Sequence, residues 1–575
     1  MRLLAMALAL ALGCACAAQR TLHVADFGAV GDGVTDDRPA IARALAQAAQ
    51  TPGPVVIRFD RKTYCIGPRE DHWCSFDLHQ ARDLTLDGRG ATLLLHPHNC
   101  GFLLDECEGV VLRDFRIDYA PLPFTQGTVT SLEPEGGAFT VRIDDGYPVP
   151  DETATDLRQG AFIEPTRPRY TGHWLYVGRV ERLPGEEQLI RIVAKAGDEG
   201  RVTGAAVGQR FVFGFSYMTP QKRDSRFRVG QEPHNRGVYL SNPAGTIQLM
   251  RCRDCRIESV DHYASIGMTY RLTGCDGIRL RAVRIIRKPG TDRLVASLSD
   301  GIHCKNSRVG PFIEDCVFEA LLDDSINLST MTDDVMERLS PTTFLTLYSD
   351  IAWYDTPLRA GDTVLAFDPV NALYLGEAKV AQAEFISSHQ RRVTLDREIP
   401  GLIDAKAVDR GRATRFFVKV SQGAEVRDCL FRSQMKTAMV FRTPGLIEGN
   451  RVEDCFFGVH CHNAPDWGEG PMPGDLTIRD NTFERVAFAA IAALRIGQAP
   501  LEPAGGPLRI EGNRFLMDNG IAIRLTSLRD LTLRKNRIRM AASTPPHYPA
   551  IQLDDCADVT TEDLRVTDPR PSLNR

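Results

Sequence analysis

The stretch A-E-V-R-D-C-L-F-R-S-Q-M-K-T-A-M-V-F-R-T-P-G-L-I-E-G-N-R-V (424–452) contains one short phrase twice, with its central residues 21 positions apart. Related phrases occur elsewhere in the second half of the chain: I-E-D-C-V-F (313–318), I-R-D-N-T-F (478–483), I-E-G-N-R-F (510–515) and L-R-K-N-R-I (533–538). From Cys429 onward, the central residues are separated by 21, 31, 32 and 23 residues. The phrases therefore indicate successive coils of a repeat protein, with loops of varying size.

The alternation of apolar residues in these phrases indicates the kind of repeat. Short alternating runs separated by Gly, Asn and Asp, with no helices between them, predict stacked β-strands. We therefore expect an all-β protein built as a right-handed parallel β-helix. The central position should form a ladder at a turn, in which Cys acts as a small buried residue and not as a metal ligand. The ladder positions are Cys316, Cys429, Asn450, Asn481, Asn513 and Asn536.

Two stretches interrupt the repeat with longer alternating runs, and we interpret both as inserted β-barrel-like domains. One amphipathic helix, Asp36–Ala49 with Thr35 or Asp36 as its N-cap, is expected to cover the open apolar end of the β-helix. The predicted segments are a signal peptide (1–18), N-terminal coils (19–126), a first insertion (127–230), central coils with the acidic residues (231–334), a second insertion (335–415) and C-terminal coils (416–575).

The composition and the N-terminal sequence limit the functions that this chain can have. With 25% charged residues and a formal net charge of −5, the chain shows no basic surface of the kind that binds nucleic acid. Met1–Arg20 combines Arg2, a short apolar run and the small-residue site A-C-A-A (15–18), which is typical of an export signal. We predict a periplasmic or secreted protein without a membrane span; a lipoprotein anchored at Cys14 is the less favoured alternative.

Cysteine usage gives a mixed signal. Cleavage of the signal would leave thirteen cysteines, and an odd number in an exported protein suggests some disulfides. The ladder positions instead favour buried free thiols for several of them. The sequence does not predict which cysteines would pair.

Two acidic turns stand one repeat apart, S-D-G-I-H-C (299–304) and D-D-S-I-N-L (323–328). They align without a gap, and strand spacing then predicts that Asp300 and Asp324 lie about 5 Å apart. Asp323 can share their site only if the backbone bends beside the turn. Stacked like charges are costly unless one is protonated or useful, which favours a functional over a purely structural turn. Clustered carboxylates are typical of acid/base catalysis, and of glycoside hydrolysis in particular.

Neighbouring positions supply candidates for binding a substrate. The positions seven and eight residues after each ladder residue carry polar side chains only in the middle coils. Two positions further along the chain we expect a stack of apolar residues, which His460 interrupts. His303 and Asn327 follow the two turns on the same face, and Trp467 in a Gly-rich loop is a candidate platform for a sugar ring. The candidate substrate-binding residues are His262, Tyr263, Arg293, His303, Asn327, Lys436, Trp467 and Glu469.

Several motifs carry a family resemblance. The opening A-D-F-G-A-V-G-D-G-V-T-D-D (25–37) resembles the start of the pectate-lyase and polygalacturonase-like β-helix proteins. An ordered set of motifs, over residues 21–540, resembles glycoside hydrolase family 110, which consists of exo-acting α-galactosidases with β-barrels inserted in a β-helix. These motifs are I-D-Y-A-P-L-P-F-T-Q-G-T (117–128), K-P-G-T-D-R (288–293), S-D-G-I-H (299–303), D-D-S-I-N (323–327) and W-G-E-G-P (467–471).

The resemblance implies an inverting mechanism without a metal or an organic cofactor, acting on an oligosaccharide or polysaccharide with terminal galactose. It implies Asp323 as the general acid and Asp300 and Asp324 as candidate bases that activate water. The polygalacturonases share this three-Asp arrangement, which supports the roles without deciding the substrate. One departure concerns the sugar: the family usually continues after the Asn with Val-His-Gly, whereas this chain has L-S-T (328–330). The expected activity class is therefore firmer than the galactose specificity.

Two other functions are compatible with the same residues. A polygalacturonase-like hydrolase or a Ca²⁺-dependent polysaccharide lyase would need basic groups near the aspartates, and Lys305, Lys436 and Arg293 are available. A non-catalytic glycan-binding β-helix would make the three aspartates structural, and they should then tolerate replacement by Asn. The sequence does not predict the oligomeric state.

Overall fold

The described chain is built almost entirely from β-strands. The predicted signal peptide and Trp467 lie outside the described residues. A computed structural model describes residues 19–69, 74–154, 157, 159–164, 170–215, 228–229, 238–239, 245–348, 358–370, 373–386, 390–408, 410–464, 468–495 and 507–570.

One long parallel sheet, called the front sheet below, receives a strand from each successive coil. Adjacent strands pair residue by residue without a shift, as Ile302–Lys305 does with Ile326–Met331. In order, its parallel strands are Cys74–His79, Cys100–Asp105, Gly245–Met250, Met268–Thr273, Ile302–Lys305, Ile326–Met331, Thr437–Phe441, Phe457–His462, Ala489–Leu494, Ile521–Thr526 and Ile551–Asp554.

The remainder of each coil contributes to two more parallel ladders, which the long strands Leu84–Leu95 and Val111–Tyr119 join. Three parallel faces per coil make the molecule a right-handed parallel β-helix, which confirms the predicted fold class. One ladder contains Arg20–His23, Val55–Arg58, Arg256–Glu258, Arg279–Arg281, Phe312–Glu314, Ala424–Arg427, Gly445–Glu448, Leu476–Arg479, Leu508–Glu511, Leu531–Arg534 and Val559–Glu562. The other contains Asp32–Asp36, Thr63–Ile66, Asp261–His262, Arg284–Ile285, Val317–Glu319, Leu430–Arg432, Arg451–Glu453, Thr482–Glu484, Arg514–Met517, Arg537–Met540 and Arg565–Thr567.

The inward side of the front sheet is a continuous apolar column, as predicted. Its members in the acidic and later coils are fully buried: Ile302, Ile326, Met439, Val459, Ile491 and Ile523. The prediction that His460 interrupts this column is wrong. His460 pairs with Val440 and Ala492 on the opposite face, because neighbouring strand residues alternate in direction.

The repeated phrase forms the predicted ladder. The Asn481 side-chain oxygen accepts a hydrogen bond from the Asn450 backbone N–H (2.9 Å), and Asn513 does the same for Asn481 (3.0 Å). The residue before each ladder position has a left-handed backbone, with φ 54° at Asp428 and 68° at Gly449, which explains the Asp or Gly in the phrase. All thirteen cysteines in the described ranges are free thiols.

The predicted N-terminal helix spans Arg38–Ala49, and its apolar face joins the core of the β-helix. Its N-cap is Asp37, not Thr35 or Asp36 as predicted. The Asp37 carboxylate accepts hydrogen bonds from the backbone of Val30 (2.6 Å) and Gly31 (3.0 Å), so it fixes the preceding loop. No helix in the described part of the chain is long and apolar enough to cross a bilayer.

Two closed antiparallel barrels interrupt the coils, and each has its own apolar core. The first and last strands of each barrel pair with each other, Phe124 opposite Gly214 and Asp333 opposite Phe416. Barrel 1 consists of Phe124–Glu133, Ala138–Ile143, Gln159–Ile163, Tyr170–Arg182, Leu189–Ala194 and Arg210–Gly214. Barrel 2 consists of Asp333–Arg338, Thr343–Tyr348, Thr363–Asp368, Leu373–Phe385, Gln390–Leu395 and Arg415–Val418.

Candidate active site

Three aspartates lie together where two neighbouring coils enter the front sheet. Asp300 lies two positions before Ile302, and Asp324 lies two positions before Ile326. These two isoleucines are opposite each other in paired strands. The chain bends around Asp323, so this side chain joins the other two, and one carboxylate oxygen from each residue lies within 4.8 Å of the others. We call Asp300, Asp323 and Asp324 the acidic cluster.

Glycine allows the two turns to stack this closely. The Gly301 backbone N–H donates to the Asp324 carbonyl oxygen over 3.0 Å. A Cβ atom at Gly301 would lie 2.5 Å from the Ser325 carbonyl oxygen, closer than real Cβ atoms approach. The D-G pair in the sequence therefore has a packing reason at this position.

Asp323 is held by groups from another coil and from barrel 1. Lys436 Nζ donates to its Oδ1 over 2.9 Å, and Gln159 Nε2 lies 3.3 Å from its Oδ2. Gln159 also donates to the Leu322 carbonyl oxygen over 2.5 Å, which anchors the barrel beside the bend. The contact of Lys436 with Asp323 agrees with the predicted alignment of these coils.

Burial and mutual repulsion control protonation in the cluster. Burial, with added repulsion from Asp323 and Asp324, raises the pKa of the Asp300 carboxyl well above its usual range. Burial and then Asp323 raise the pKa of Asp324 to about 6. His303 Nδ1 lies 2.5 Å from Asp300 Oδ2, and burial lowers the pKa of this imidazole well below its usual range, so it is neutral. Burial and repulsion therefore favour the protonated forms of Asp300 and Asp324 relative to an exposed aspartate.

A second polar network lies next to the cluster on the same strands. The fully buried ammonium of Lys305 donates to Asn327 Oδ1 (2.8 Å) and Ser329 Oγ (2.5 Å), and pairs with Glu469 Oε1 (2.7 Å). The Asn327 amide nitrogen lies 3.4 Å from Asp324 Oδ2. Lys305 thus orients the amide that faces one of the cluster carboxylates.

Glu469 belongs to this network through both of its carboxylate oxygens. Its Oε2 accepts a hydrogen bond from Arg442 Nη1 over 2.6 Å. Although burial opposes the charge, Lys305 and Arg442 together hold the pKa of Glu469 below its usual range. In the structure Glu469, a predicted substrate-binding residue, joins its loop to the strand that carries Asn327.

The oxygen spacing of the acidic cluster would also suit a divalent cation. However, the Lys436 ammonium already lies 2.9 Å from one of the three carboxylates and balances part of their charge. An ammonium in contact with a carboxylate competes with a cation for the same oxygens. The contact with Lys436 therefore disfavours a cation at Asp323.

Comparison with known proteins agrees with this fold. A family model described as rhamnogalacturonase A/epimerase, pectate lyase-like, matches residues 21–78. An α-1,3-galactosidase B of Bacteroides thetaiotaomicron is 23% identical, over 96% of this chain and 91% of that protein. An α-1,3-galactosidase A of Akkermansia muciniphila is 23% identical, over 89% and 86%. The chain resembles α-1,3-galactosidases over most of its length. This confirms the resemblance inferred from the sequence motifs.

A solved structure, the family 28 exopolygalacturonase of Yersinia enterocolitica, aligns with 12% identity over 95% of this chain and 78% of that chain, with a TM-score of 0.41.

Two of the motifs that resemble the galactosidase family, 117–128 and 288–293, contact each other, and the hydrogen bonds between them do not involve the acidic cluster. Arg293 forms a buried pair with Asp118 (2.7 Å and 3.1 Å), to which Lys288 adds a contact of 2.9 Å. Arg293 also donates to the Tyr263 carbonyl oxygen over 3.0 Å. The K-P-G-T-D-R loop is therefore fixed on the I-D-Y strand, and Arg293 holds this loop in place.

The placement of His262 below the aspartates is wrong. His262 pairs with Ile285 in a different ladder, is fully buried, and its Nε2 lies 2.6 Å from the Tyr270 hydroxyl. The count failed because it started from Cys255, which precedes Arg256–Glu258 in one ladder, whereas Cys316 precedes Val317–Glu319 in the other. The residue that matches Cys316 is Val260, and the tenth residue after it, Tyr270, pairs with Ile302. Tyr263, also counted to this position, has its hydroxyl 3.3 Å from Asp261, again outside the front sheet.

Barrel 1 contributes side chains near the acidic cluster that the sequence did not predict. Besides Gln159, barrel 1 brings Trp174 to the cluster, with Lys436 Nζ 5.4 Å from the centre of its ring. Repeat periodicity carries no information on how an insertion docks, so no sequence signal identified these residues. The position of Lys305 was predictable, because it lies two residues after His303 and therefore on the same face of the strand.

Proposed function

We propose that this chain is an exported, inverting exo-α-galactosidase that removes terminal α-1,3-linked galactose from glycans. The observation that carries the proposal is the acidic cluster, in which oxygens of three carboxylates lie within 4.8 Å of one another. The names of the relatives that align with most of the chain supply the substrate. Neither a metal nor an organic cofactor is part of the proposal.

In the proposed reaction, Asp323 gives a proton to the glycosidic oxygen as the bond from the galactose C1 to that oxygen breaks. Asp300 or Asp324 removes a proton from a water molecule, whose oxygen attacks C1 from the opposite face. Asp324 suits the base, because its pKa of about 6 leaves it ionised but basic at neutral pH. The acidic limb of the kcat profile should therefore lie near pH 6.

A second assignment of the acid rests on the electrostatics. Burial raises the pKa of Asp300 well above its usual range, which favours its acid form, whereas Asp323 contacts the Lys436 ammonium. Either residue could therefore hold the proton that the leaving oxygen needs. Activity on α-galactosyl fluoride distinguishes the two assignments, because its leaving group needs little protonation. Replacing the acid by Asn should leave activity on the fluoride, whereas replacing the base by Asn should abolish it.

The stereochemistry needs its own test. Inverting enzymes usually hold their two carboxyl groups about 6.5–9.5 Å apart, and retaining enzymes about 5–5.5 Å apart. The nearest oxygens of the cluster, within 4.8 Å, are closer than the inverting range. Inversion is thus supported by the family resemblance and not by the spacing. A retaining result would make one aspartate a nucleophile.

The experiment incubates p-nitrophenyl α-galactoside and an α-1,3-linked galactose disaccharide with the protein and EDTA, followed by proton NMR. We expect β-galactose as the first product, and its loss in Asp323→Asn. Initial α-galactose would overturn inversion, and no release of galactose would overturn the specificity. Unsaturated products that require Ca²⁺ would assign the protein to the lyases.

The uronate-directed alternative is less well supported by the contacts of the nearby cations. Lys436 is paired with Asp323, Lys305 with Glu469, and Arg293 with Asp118. A uronate substrate would have to displace one of these carboxylates. A neutral sugar such as galactose requires no such exchange.

A further inference from the structure

We propose that the outer wall of barrel 1, formed by Gln159, Trp174 and Tyr176, binds the sugar ring that leaves the reaction. This inference rests on the proposed function, with Asp323 as the acid. It assigns to barrel 1 a subsite for a neutral pyranose attached to the galactose.

Strand pairing brings the three side chains to one face. Gln159 lies opposite Tyr176 and Ala161 opposite Trp174 in the antiparallel pair of Gln159–Ile163 with Tyr170–Arg182. Residues opposite each other point to the same side, with Cβ atoms about 4.5–5.5 Å apart. Leu175, between the two aromatic residues, is fully buried in the barrel core. Trp174 and Tyr176 therefore face outward with Gln159.

Two contacts place this wall beside the proposed acid. Gln159 Nε2 lies 3.3 Å from Asp323 Oδ2. Lys436 connects the other part of the wall, with Nζ 2.9 Å from Asp323 Oδ1 and 5.4 Å from the centre of the Trp174 ring. Because the acid protonates the oxygen of the leaving sugar, that sugar must lie on the Asp323 side of the broken bond.

The wall is built as a rigid aromatic surface. The rings of Trp174 and Tyr176 meet edge to face, with centroids 5.4 Å apart and planes at 89°. Arg201 lies 4.1 Å over the Trp174 ring and is paired with Asp198. Tyr176 remains 40% exposed, although Lys195 lies over its ring.

These properties define the ligand class. Aromatic rings contact the C–H faces of a pyranose and leave its hydroxyls free for hydrogen bonds. Two of the three cations beside the wall, Lys436 and Arg201, are paired with carboxylates, and only Lys195 is left among the three to attract an anionic group on the sugar. We therefore infer a neutral hexose or N-acetylhexosamine as the leaving group.

The test compares α-1,3-galactobiose, which carries a leaving sugar, with α-galactosyl fluoride, which carries none. Tyr176→Ala should lower the ratio of kcat/KM for the disaccharide to that for the fluoride by about tenfold. Tyr176→Phe keeps the ring and should lower the ratio by about twofold or less. Val207→Ala is the control, because Val207 is exposed and lies just before the last strand of barrel 1; this variant should keep the wild-type ratio.

The outcomes are separable. A wild-type ratio in Tyr176→Ala, or equal losses on both substrates, would overturn the leaving-group subsite while leaving the galactosidase proposal intact. No cleavage of either substrate by the wild-type protein would overturn the proposed function, and this inference with it. A selective loss in Tyr176→Ala, with Tyr176→Phe near wild type, would support both.

Discussion

The C-terminal coils and the acidic coils stack polar side chains in opposite ways. In the C-terminal coils, Asn450, Asn481, Asn513 and Asn536 are fully buried, and each side-chain oxygen accepts from the coil before it. Each amide also donates to a backbone carbonyl, as Asn481 does to Ile447 (3.0 Å). In the acidic coils the stacked groups are carboxylates, which accept hydrogen bonds and repel one another.

The difference separates stability from function on one scaffold. An amide donates and accepts, so a column of amides satisfies itself and can be repeated in every coil. A column of carboxylates needs a proton or a cation. Here burial favours the protonated form of Asp300, and the Lys436 ammonium contacts Asp323. Carboxylates that are stacked despite their repulsion, with burial favouring the protonated form of one and an ammonium contacting another, indicate a functional site.

Replacing a carboxylate by an amide in the cluster should have the largest effect. Asp323→Asn removes the proposed proton donor, and we expect kcat on the disaccharide to fall by about 1,000-fold or more, with little change in thermal stability. Asp480→Asn, in a left-handed turn next to the ladder (φ 56°), is the matched control. Equal activity of the two variants would make the cluster structural.

Placing a carboxylate in the ladder should have the next largest effect, this time on stability. Asn481→Asp buries an acceptor-only charge beside Asn450 and Asn513, and should lower the free energy of unfolding by about 3–5 kcal/mol. Asn481→Cys should cost less, about 1–2 kcal/mol, because Cys429 already fills this column and its sulfur lies 3.4 Å from the Cys316 backbone nitrogen. Urea unfolding at pH 7 measures both, and the reverse order would contradict the account of the ladder.

Removing Lys305 tests whether the second network positions the cluster. Lys305→Met leaves Glu469 without one partner and frees the Asn327 amide to rotate, so kcat/KM should fall by about 10–100-fold. Lys406→Met makes the same change in an ion pair on the surface, with Lys406 64% exposed beside Glu337. Steady-state kinetics should show no loss in this control, and a loss equal to that of Lys305→Met would argue against positioning.

The smallest expected effect is a gain in stability. The pKa of Asp324 is raised to about 6 in the folded state, so its ionisation lowers stability as the pH rises from about 4 through 6. Asp324→Asn should therefore stabilise the protein by about 1–3 kcal/mol at pH 7, and the gain should vanish near pH 4. Thermal unfolding at both pH values, with Asp480→Asn as the control, measures it. A gain that is independent of pH would exclude the titration of Asp324 as its cause.

Features that repeat along the chain were predictable from the sequence. The ladder, the apolar column and the pairing of Ile302 with Ile326 all follow from a periodicity that every coil obeys. The same alignment predicted that Lys436 lies beside Asp323, because these coils are equally long on this side. Local chemistry and repetition agree at these positions, so sequence spacing translates directly into distance.

Features that depend on the ladder a phrase precedes, or on docking, were not predictable. His262 was misplaced because the phrase R-D-C at 253–255 matches the later phrases in letters but precedes a strand of the other ladder. Gln159 and Trp174 reach the cluster from a barrel whose orientation no repeat specifies. Glu469 was identified as part of the site, but its pairing with Lys305 and Arg442 depends on how the loop folds back on the strand Ile326–Met331.

The pairing of the first and last strands in each barrel has a consequence for the history of such proteins. Because Phe124 faces Gly214 and Asp333 faces Phe416, the first and last strands of each barrel lie side by side. Mutations, insertions and deletions inside a barrel can then accumulate without displacing the coils on either side. A lineage with this architecture can inherit its aspartates unchanged while selection reshapes the surface that surrounds them.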